Sequence, residues 1–432
     1  EDYKKYAAIV VFSTSGGALI YFFEMRKYIE IMSITKIKLE LKKHIKPIFT
    51  FFLMATTITL YTNLDTILLG FFSTEEEVGF YVTALKIKNI TSAKLFLPIV
   101  SLILVLIINM IKTPNFFNIT IQNGVFYGYI IDVINRASEL VILAVGMTLV
   151  VASSGGTDIS VGAVCALAGA VACFILAGGE VSTDVYHAPY ITAFIAAIFV
   201  GLLCGSFNAF LVAKMNIQPM VATLILFTAG RGMAQLVTNG QITYIRVESF
   251  KMLGNSIHGI PLPTPVFVAL AVVLITLIIL KKTALGLYIE TVGINNKAAR
   301  LVGLSPVFIQ FIAYAFCGLL AGLAGMIVSS RVYSADANNA GLNIELDAIL
   351  AVALGGNSLA GGKFSLLGSV IGAYTIQALT TTLYAMSVSA DQLPVYKAIV
   401  VVIIVSLQSK EFIKIIRGFN LNKKKAEVAH ER

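Results

Sequence analysis

Long apolar runs separated by short polar connections dominate the chain from residue 94 onward. A helix crosses the hydrocarbon core of a bilayer with about 20 apolar residues, and several of these runs approach that length. The pattern predicts an all-α, polytopic transmembrane helix bundle with about ten spans in this part. The predicted spans are approximately 97–112, 137–152, 158–178, 190–213, 217–238, 264–280, 306–329, 344–356, 365–386 and 394–409.

Composition supports a membrane protein and argues against a nucleic-acid partner. Of the 432 residues, 57% are hydrophobic and 13% are charged, whereas about 25% of the residues in soluble chains are charged. The net charge is +9, but Lys and Arg lie mainly in short connections and are not interleaved with aromatic residues. We therefore expect a lipid bilayer around the chain and no nucleic acid bound to it.

The cysteines have no zinc-ligand spacing, and each lies in an apolar run, so we expect four buried thiols and no metal site. They are Cys165, Cys173, Cys204 and Cys317.

The positive-inside rule assigns sides to the connections. With residue 94 inside, the basic connections at Lys214, 281–282, 297–300 and Lys363 are all cytoplasmic, as is the basic C-terminal tail. The acidic segments 178–189 and 334–341 are external. Three cations depart from the rule because they are also assigned to the outside, in the longest external loop. They are Arg231, Arg246 and Lys251.

Residues 1–93 differ from the rest in pattern. Apolar runs at 6–23 and 47–72 flank a basic segment, which predicts two N-terminal spans joined on the cytoplasmic side. Residue 94 is then inside only if 78–93 forms a third span. That segment carries Lys86 and Lys88, each costing about 2.5–3.5 kcal/mol at the bilayer centre. We therefore predict a division into 1–93 and 94–432. Because the first residue is Glu1, we also expect an incomplete or processed N-terminus.

The glycine-rich run GGNSLAGGKF, 355–364, is close to a Walker A loop, G-x-x-x-x-G-K-[ST]. Asn357 replaces the leading Gly, and Phe364 replaces the hydroxyl residue that binds Mg²⁺. The run also lies between two predicted spans, where glycines permit positive φ. We interpret it as a tight turn and expect no cofactor in this chain.

Residues 94–432 resemble the membrane permease subunit of bacterial ABC sugar importers of the ribose and galactofuranose type. The motifs are GMTLVVASSGGTDISVGAV at 146–164, ETVGINNKAARLVGL at 290–304 and SADANNAGLNIELDAILAVALGGNSLAGG at 334–362. The resemblance implies a non-enzymatic transmembrane subunit that imports a monosaccharide across the bacterial plasma (inner) membrane. It also implies a separate ABC ATPase subunit that binds the ATP, an extracytoplasmic sugar-binding protein and a second permease copy or homologue.

Residues 1–93 resemble part of a polysaccharide or lipid-linked oligosaccharide flippase, through YTNLDTILLGFFSTEEEVGFYVTALKI at 61–87. This resemblance supplies the alternative function, a flippase-type exporter, and makes Asp65 a candidate cavity residue. Because the likeness stops near 89–94, we hypothesise that the chain joins two unrelated genes. A channel or scaffold is a third possibility, although a passive pore needs no site for an ATPase.

The resemblance identifies 290–304 as the ATPase-coupling loop. Its small and apolar residues form a short helix suited to a partner's groove, and two glycines bracket it; an ordinary cytoplasmic connector is the alternative. The predicted coupling residues are Glu290, Gly293, Asn295, Lys297, Ala298, Ala299, Arg300 and Gly303.

Polar residues in or beside the spans are candidates for the translocation path, because an ionisable residue inside a membrane is usually functional. For Asp158, Glu345 and Asp347 the alternative is that they cap helices. The predicted path residues are Asp158, Ser160, Asn208, Gln218, Asn343, Glu345 and Asp347.

An intramembrane hydrolase is disfavoured because every histidine lies in a loop or tail, away from any buried serine. The histidines are His44, His187, His258 and His430.

Overall fold

The computed structural model describes residues 95–408 apart from 114, 123 and 258, together with residues 77, 79–81, 83 and 84. The chain separates into two units, Glu1–Lys88 and Asn89–Arg432, and nearly everything described belongs to the second. The predicted N-terminal spans, the flippase-like segment and Asp65 lie outside the described residues. Their identity therefore stays a prediction.

The described part is predominantly helical, as predicted. We number its helices α1 to α12 in chain order. They are α1 (Phe96–Lys112), α2 (Tyr129–Ser154), α3 (Val161–Ala177), α4 (Tyr190–Ala209, continued by a π-helical turn at Phe210–Lys214), α5 (Pro219–Val237), α6 (Thr264–Lys282), α7 (Leu285–Ile294), α8 (Asn296–Leu301), α9 (Pro306–Val332), α10 (Ile344–Leu354), α11 (Leu366–Ala385) and α12 (Leu393–Gln408). A 3₁₀ helix, Glu248–Leu253, precedes α6.

Each predicted span coincides with one of these helices. Six are long and apolar enough to cross a membrane, namely α2, α4, α5, α6, α9 and α11. Helices α1, α3 and α12 are shorter, and α10 has only 11 residues. Helix α2 begins eight residues before the predicted span start, because its first turns carry Asp132 and Arg136, which hid the helix from a hydropathy criterion.

Two small sheets accompany the helices, and the sequence pattern did not predict them. Strands β1 (Thr120–Gln122) and β2 (Val125–Tyr127) form an antiparallel pair. Strand β3 (Ser182–Thr183) pairs in parallel with β4 (Thr243–Ile245), and β4 pairs antiparallel with β5 (Ser334–Ala335). Strands of two or three residues are too short to leave a period-two signal.

The second sheet joins three connections that the charge pattern had assigned to one side of the membrane. We call this end of the bundle the strand end. At the opposite end, which we call the connector end, the turn after α2 meets the 355–362 connection. There Gly362 N donates to Ala152 O over 2.9 Å, and Gly156 packs against Pro219. The structure thus groups the predicted external and cytoplasmic connections at opposite ends.

Glycines let α4 and α9 pack backbone against backbone. A Cβ on Gly318 would lie 2.3 Å from Gly201 O and 2.6 Å from the Gly205 Cα, and a Cβ on Gly322 would lie 2.5 Å from Ala197 O. The small residues of the run GLLAGLAG, 318–325, permit this close approach. The four cysteines are buried and free, also as predicted.

Candidate functional site

Asp158 lies at the centre of a closed polar cluster at the start of α3. Its Oδ1 accepts from Ser160 N (2.9 Å) and Ser160 Oγ (2.6 Å), and Asn208 Nδ2 reaches both carboxylate oxygens at 3.3 Å. Asn208 Nδ2 also donates to Ser160 Oγ over 2.8 Å. Three of the predicted path residues are therefore in direct contact.

The cluster is also buried away from solvent. Asp158 is 1% exposed, and Ser160 and Asn208 are fully buried. The N–H of Ile159 donates to Thr223 Oγ1 on α5 over 3.2 Å, and the N–H of Asp158 points to Met147 Sδ on α2. Asp158 does not cap α3 in the usual manner, because it bonds the N–H of the residue before the helix. The cluster instead ties the α2–α3 turn to α4 and α5.

Gln218 is not part of that cluster. It is the exposed residue that precedes α5 at the connector end, and its side chain makes no capping hydrogen bond.

The other three path residues lie at the start of α10. Asn343 is exposed, has φ +64° and makes no side-chain cap. Glu345 is 3% exposed, and its Oε2 has no hydrogen-bond partner among the described residues. The backbone packs closely here, since a Cβ on Gly162 of α3 would collide with this carboxylate. Asp347 instead pairs with Lys397 of α12, with Nζ 2.7 Å from Oδ2.

Asn343 and Asp347 line a large cavity of about 1470 Å³ between α2, α10, α11 and α12. Lys397, Arg136 and Gln377 also line it, and the sequence interpretation missed all three. Lys397 was detectable, because a lysine inside a predicted span is itself a sign of function. Arg136 was missed because it lies one residue before the predicted start of its span.

A buried ion pair, one member of which lines the cavity, joins α2 and α9 near the strand end. The Arg331 guanidinium of α9 pairs with Glu139 of α2 through two hydrogen bonds, and Nη2 also donates to Asn135 O over 3.1 Å. Arg331 Nε donates to Gly254 O over 3.2 Å. These contacts satisfy both charges and join α2, α9 and the 3₁₀ segment, so this pair holds the wall in place.

Arg231 was assigned to an external loop by the charge rule, although the predicted span 217–238 included it. The loop assignment is wrong and the span is confirmed, because Arg231 lies within α5. Its Nη1 donates to the carbonyls of Ala337, Asn338 and Ala340, at 3.0–3.2 Å. The same loop is shaped by Asp336, which accepts from the N–H groups of Asn338 and Asn339. Burial raises the pKa of Asp336, but hydrogen bonds from Asn339 and Asn338 outweigh it, so the pKa lies below its ordinary value.

The predicted coupling segment folds as two helices. Asn295 begins α8, with its Oδ1 accepting from the N–H groups of Lys297 and Ala298 at 3.0 Å each. Lys297, Ala298 and Arg300 are exposed. The tip of the helix is apolar and open, since Leu301 is 89% and Val302 is 72% exposed.

Two details of the coupling prediction change. Ala299 is fully buried against Leu149, Val292 and Ile309 of its own chain, so it anchors α8 and cannot reach a partner. Gly293 does not open a turn. It lies inside α7, where a Cβ would clash with Ala152 O and Gly362 N.

Different residues make the turns at the two ends of α8. Gly303 has φ +84° just after α8, as an exit glycine should. Glu290 is half-buried on α7. The entry to α8 is made by Asn295, whose backbone is extended at φ −158°.

The glycine-rich run 355–364 connects α10 and α11 as a tight turn, as predicted. Gly356, Gly361 and Gly362 have φ between +75° and +91°. Asn357, the residue that breaks the Walker pattern, is buried. Its Oδ1 accepts from Ser365 N over 2.6 Å, and its Nδ2 donates to Ser369 Oγ over 2.8 Å. It therefore holds the turn closed.

The family model described as branched-chain amino acid transport system / permease component matches residues 129–407. The galactofuranose transporter permease protein of Escherichia coli is 43% identical over 74% of this chain and 91% of its own length. The ribose import permease protein of E. coli is 39% identical over 72% and 93%, and the fructose import permease protein of Bifidobacterium longum is 36% identical over 79% and 94%.

No solved structure matches the chain. The relatives confirm the resemblance of the larger part to ABC sugar permeases, whereas the flippase resemblance of residues 1–93 receives no support. With its family match across α2 to α12 and relatives covered over nine tenths of their length, this chain belongs to the permease-component family of membrane transport systems.

Proposed function

We propose that this chain is the transmembrane subunit of an ATP-driven importer for a monosaccharide of the ribose or galactofuranose class. The observation that carries the proposal is the 43% identity to a galactofuranose transporter permease over 91% of that protein. Relatives named for ribose and fructose are matched over similar lengths. The proposal covers the larger part of the chain and leaves the flippase-type exporter without an independent observation in its favour.

The proposed partners follow from the division of labour in such importers. A separate ABC ATPase subunit binds ATP, so this chain needs no cofactor. An extracytoplasmic sugar-binding protein delivers the substrate, and a second permease copy or homologue completes the path. The complex resides in the bacterial plasma (inner) membrane, and the chain itself has no enzymatic activity.

The ATPase docks on α8 in this proposal. Leu301 and Val302 offer an exposed apolar tip in a segment flanked by Lys297 and Arg300, which suits insertion into a groove of another protein. Ala299 fastens the helix to the bundle, so a movement of the ATPase is passed to α7 and α9. Rigid-body movements of this kind switch a gate between two states.

Co-purification of the ATPase with the tagged full-length chain in mild detergent tests the docking site. We expect Leu301→Asp to lower ATPase recovery at least tenfold, because it places a charge at the centre of an apolar contact. Val185→Asp is the matched control, since Val185 is 64% exposed in a connection at the strand end. Equal ATPase recovery with Leu301→Asp and with the control would refute the coupling assignment.

Substrate class is tested by uptake of radiolabelled D-ribose, D-fructose and D-galactose. The cells co-express this chain, the ATPase and the binding protein. We expect saturable, ATP-dependent uptake of at least one of these sugars. Uptake of none of them, from cells in which the ATPase co-purifies, would count against the sugar assignment.

A further inference from the structure

The cavity between α2, α10, α11 and α12 lies in the strand-end half of the bundle, where Asn339 and Asp391 of the strand-end connections also line it. Its lining runs from Tyr129 to Leu140 on α2 and from Gln377 to Ala385 on α11. At 1.5 Å per residue these stretches measure about 12–17 Å. The hydrocarbon core of a bilayer is about 30 Å thick, so the cavity ends near its middle.

Close helix packing closes the other half. A Cβ on Gly355 would lie 2.5 Å from the backbone of Gly368, and a Cβ on Gly372 would lie 2.1 Å from Ala351 O. The α10 residues beyond the cavity, Val352 and Leu354, are no more than 1% exposed. Helices α10 and α11 therefore meet backbone to backbone below the cavity, which leaves no room for a solute.

Polar side chains line the cavity beside apolar ones. Helix α10 contributes Asp347, α12 contributes Lys397, and α11 contributes Gln377 and Thr381. Amide, hydroxyl and carboxylate groups accept hydrogen bonds, while the amide, hydroxyl and ammonium groups donate them. A neutral polyhydroxyl solute needs both kinds of partner.

The ion pair Asp347–Lys397 carries a desolvation cost. The side chains are 20% and 12% exposed, so both charges have lost most of their hydration. Replacing such a pair with apolar residues of similar volume is often neutral or stabilising, so fold stability alone does not account for it. The cavity, at about 1470 Å³, is larger than the usual 300–1,000 Å³ of a ligand pocket, so a monosaccharide fits inside it.

We propose that this cavity is the outward-facing vestibule of the translocation path and that Asp347 and Lys397 contact the sugar hydroxyls there. The inference rests on the proposed sugar-import function and adds Lys397, Gln377 and Thr381 to the path. It separates Asp347 from Asp158, which has no access to this cavity. The close α10–α11 contact bounds the cavity on its inner side.

Cysteine labelling tests the vestibule without depending on any sugar. Cells expressing the complete importer are treated from outside with a membrane-impermeant methanethiosulfonate carrying a trimethylammonium group. We expect Gln377→Cys to react, because Gln377 faces the cavity. Ala373→Cys, one turn away on α11 and fully buried, is the matched control. The natural thiols are buried and supply the unlabelled background.

A Gln377→Cys variant that assembles with the ATPase but reacts no faster than Ala373→Cys would overturn the vestibule.

Uptake by a charge-free double variant tests the sugar contact. We expect Asp347→Leu with Lys397→Met to assemble normally, since no buried charge is left unpaired, and to lower uptake at least tenfold. Uptake within twofold of wild type would show that the pair is structural and overturn its role. If this variant does not assemble, Gln377→Leu, which alters no charge, replaces it with an expected loss of at least threefold.

The labelling and uptake results separate the two proposals. Labelling of Gln377→Cys in cells whose wild-type importer takes up none of the three sugars would support the vestibule and refute the sugar assignment. Uptake by the wild type with no effect of the double variant would refute the sugar contact and leave the sugar assignment intact.

Discussion

Asp158 and Asp347 are both carboxylates in or beside membrane-spanning helices, yet their surroundings differ. Asp158 receives hydrogen bonds from Ser160 and Asn208, and the group is sealed from solvent. Asp347 has one cationic partner, Lys397, and both line a large cavity. The first arrangement is bonded internally apart from Asn208 Oδ1, which has no partner among the described residues, whereas the second borders the cavity.

The comparison shows that ionisable residues in a membrane protein can stand in two different kinds of surroundings. A closed cluster fixes the geometry of a turn, because each donor has an acceptor inside the protein. An open pair leaves lone pairs and donors facing water or substrate. The residue type is the same in both cases, so the distinction lies in the partners and in access to the cavity.

The largest effect is expected from breaking the closed cluster. Asn208→Asp keeps the size of the side chain but replaces the donor to Asp158 with a second acceptor that can carry a charge. An uncompensated buried charge costs about 3–5 kcal/mol, so we expect the full-length chain to aggregate or unfold at a clearly lower temperature in detergent.

Gln392→Leu, at an exposed position before α12, serves as the control for Asn208→Asp. A monodisperse Asn208→Asp protein with wild-type thermal stability would show that the cluster is not structural.

A middle-sized effect is expected at the glycine contact between α4 and α9. Gly318→Ala places a methyl group where the backbone of Gly201 and Gly205 already lies, and overpacking of this kind costs about 1–3 kcal/mol. The identical substitution Gly232→Ala on α5 meets nothing within 4 Å and is the control. There the better helix propensity of alanine is expected to leave stability equal or higher.

Thermal unfolding followed by size-exclusion chromatography measures both alanine variants. Equal melting temperatures of the two variants would contradict tight backbone packing between α4 and α9.

The smallest effect is expected at the edge of the Asp158 cluster. Thr223→Val removes the acceptor of the Ile159 N–H while keeping the shape of the side chain. A lost hydrogen bond of this kind costs about 1 kcal/mol. We expect a small fall in melting temperature with sugar uptake unchanged. A tenfold loss of uptake in this variant would instead place Asp158 on the path, alongside Asp347.

The hydrophobic pattern alone determined the helical fold and the approximate position of each predicted span between residues 95 and 408, because burial in a bilayer demands long apolar helices. The charge pattern determined the grouping of the connections, and the apolar runs around the four cysteines predicted their burial. The motif at 290–304 predicted a short helix, which the structure has as α8, and its coupling role stays a prediction. These features depend on local composition and spacing, which a sequence displays directly.

Only the tertiary structure decided which polar residues meet. Asp158 and Asn208 are 50 residues apart, as are Asp347 and Lys397, and no local pattern links either pair. Charged residues hid the start of α2 from the hydropathy pattern. The burial of Ala299 and the close backbone contacts of Gly293 depend on neighbouring elements, which the sequence does not reveal. Pairing across the bundle depends on packing, and packing involves distances that a linear sequence does not contain.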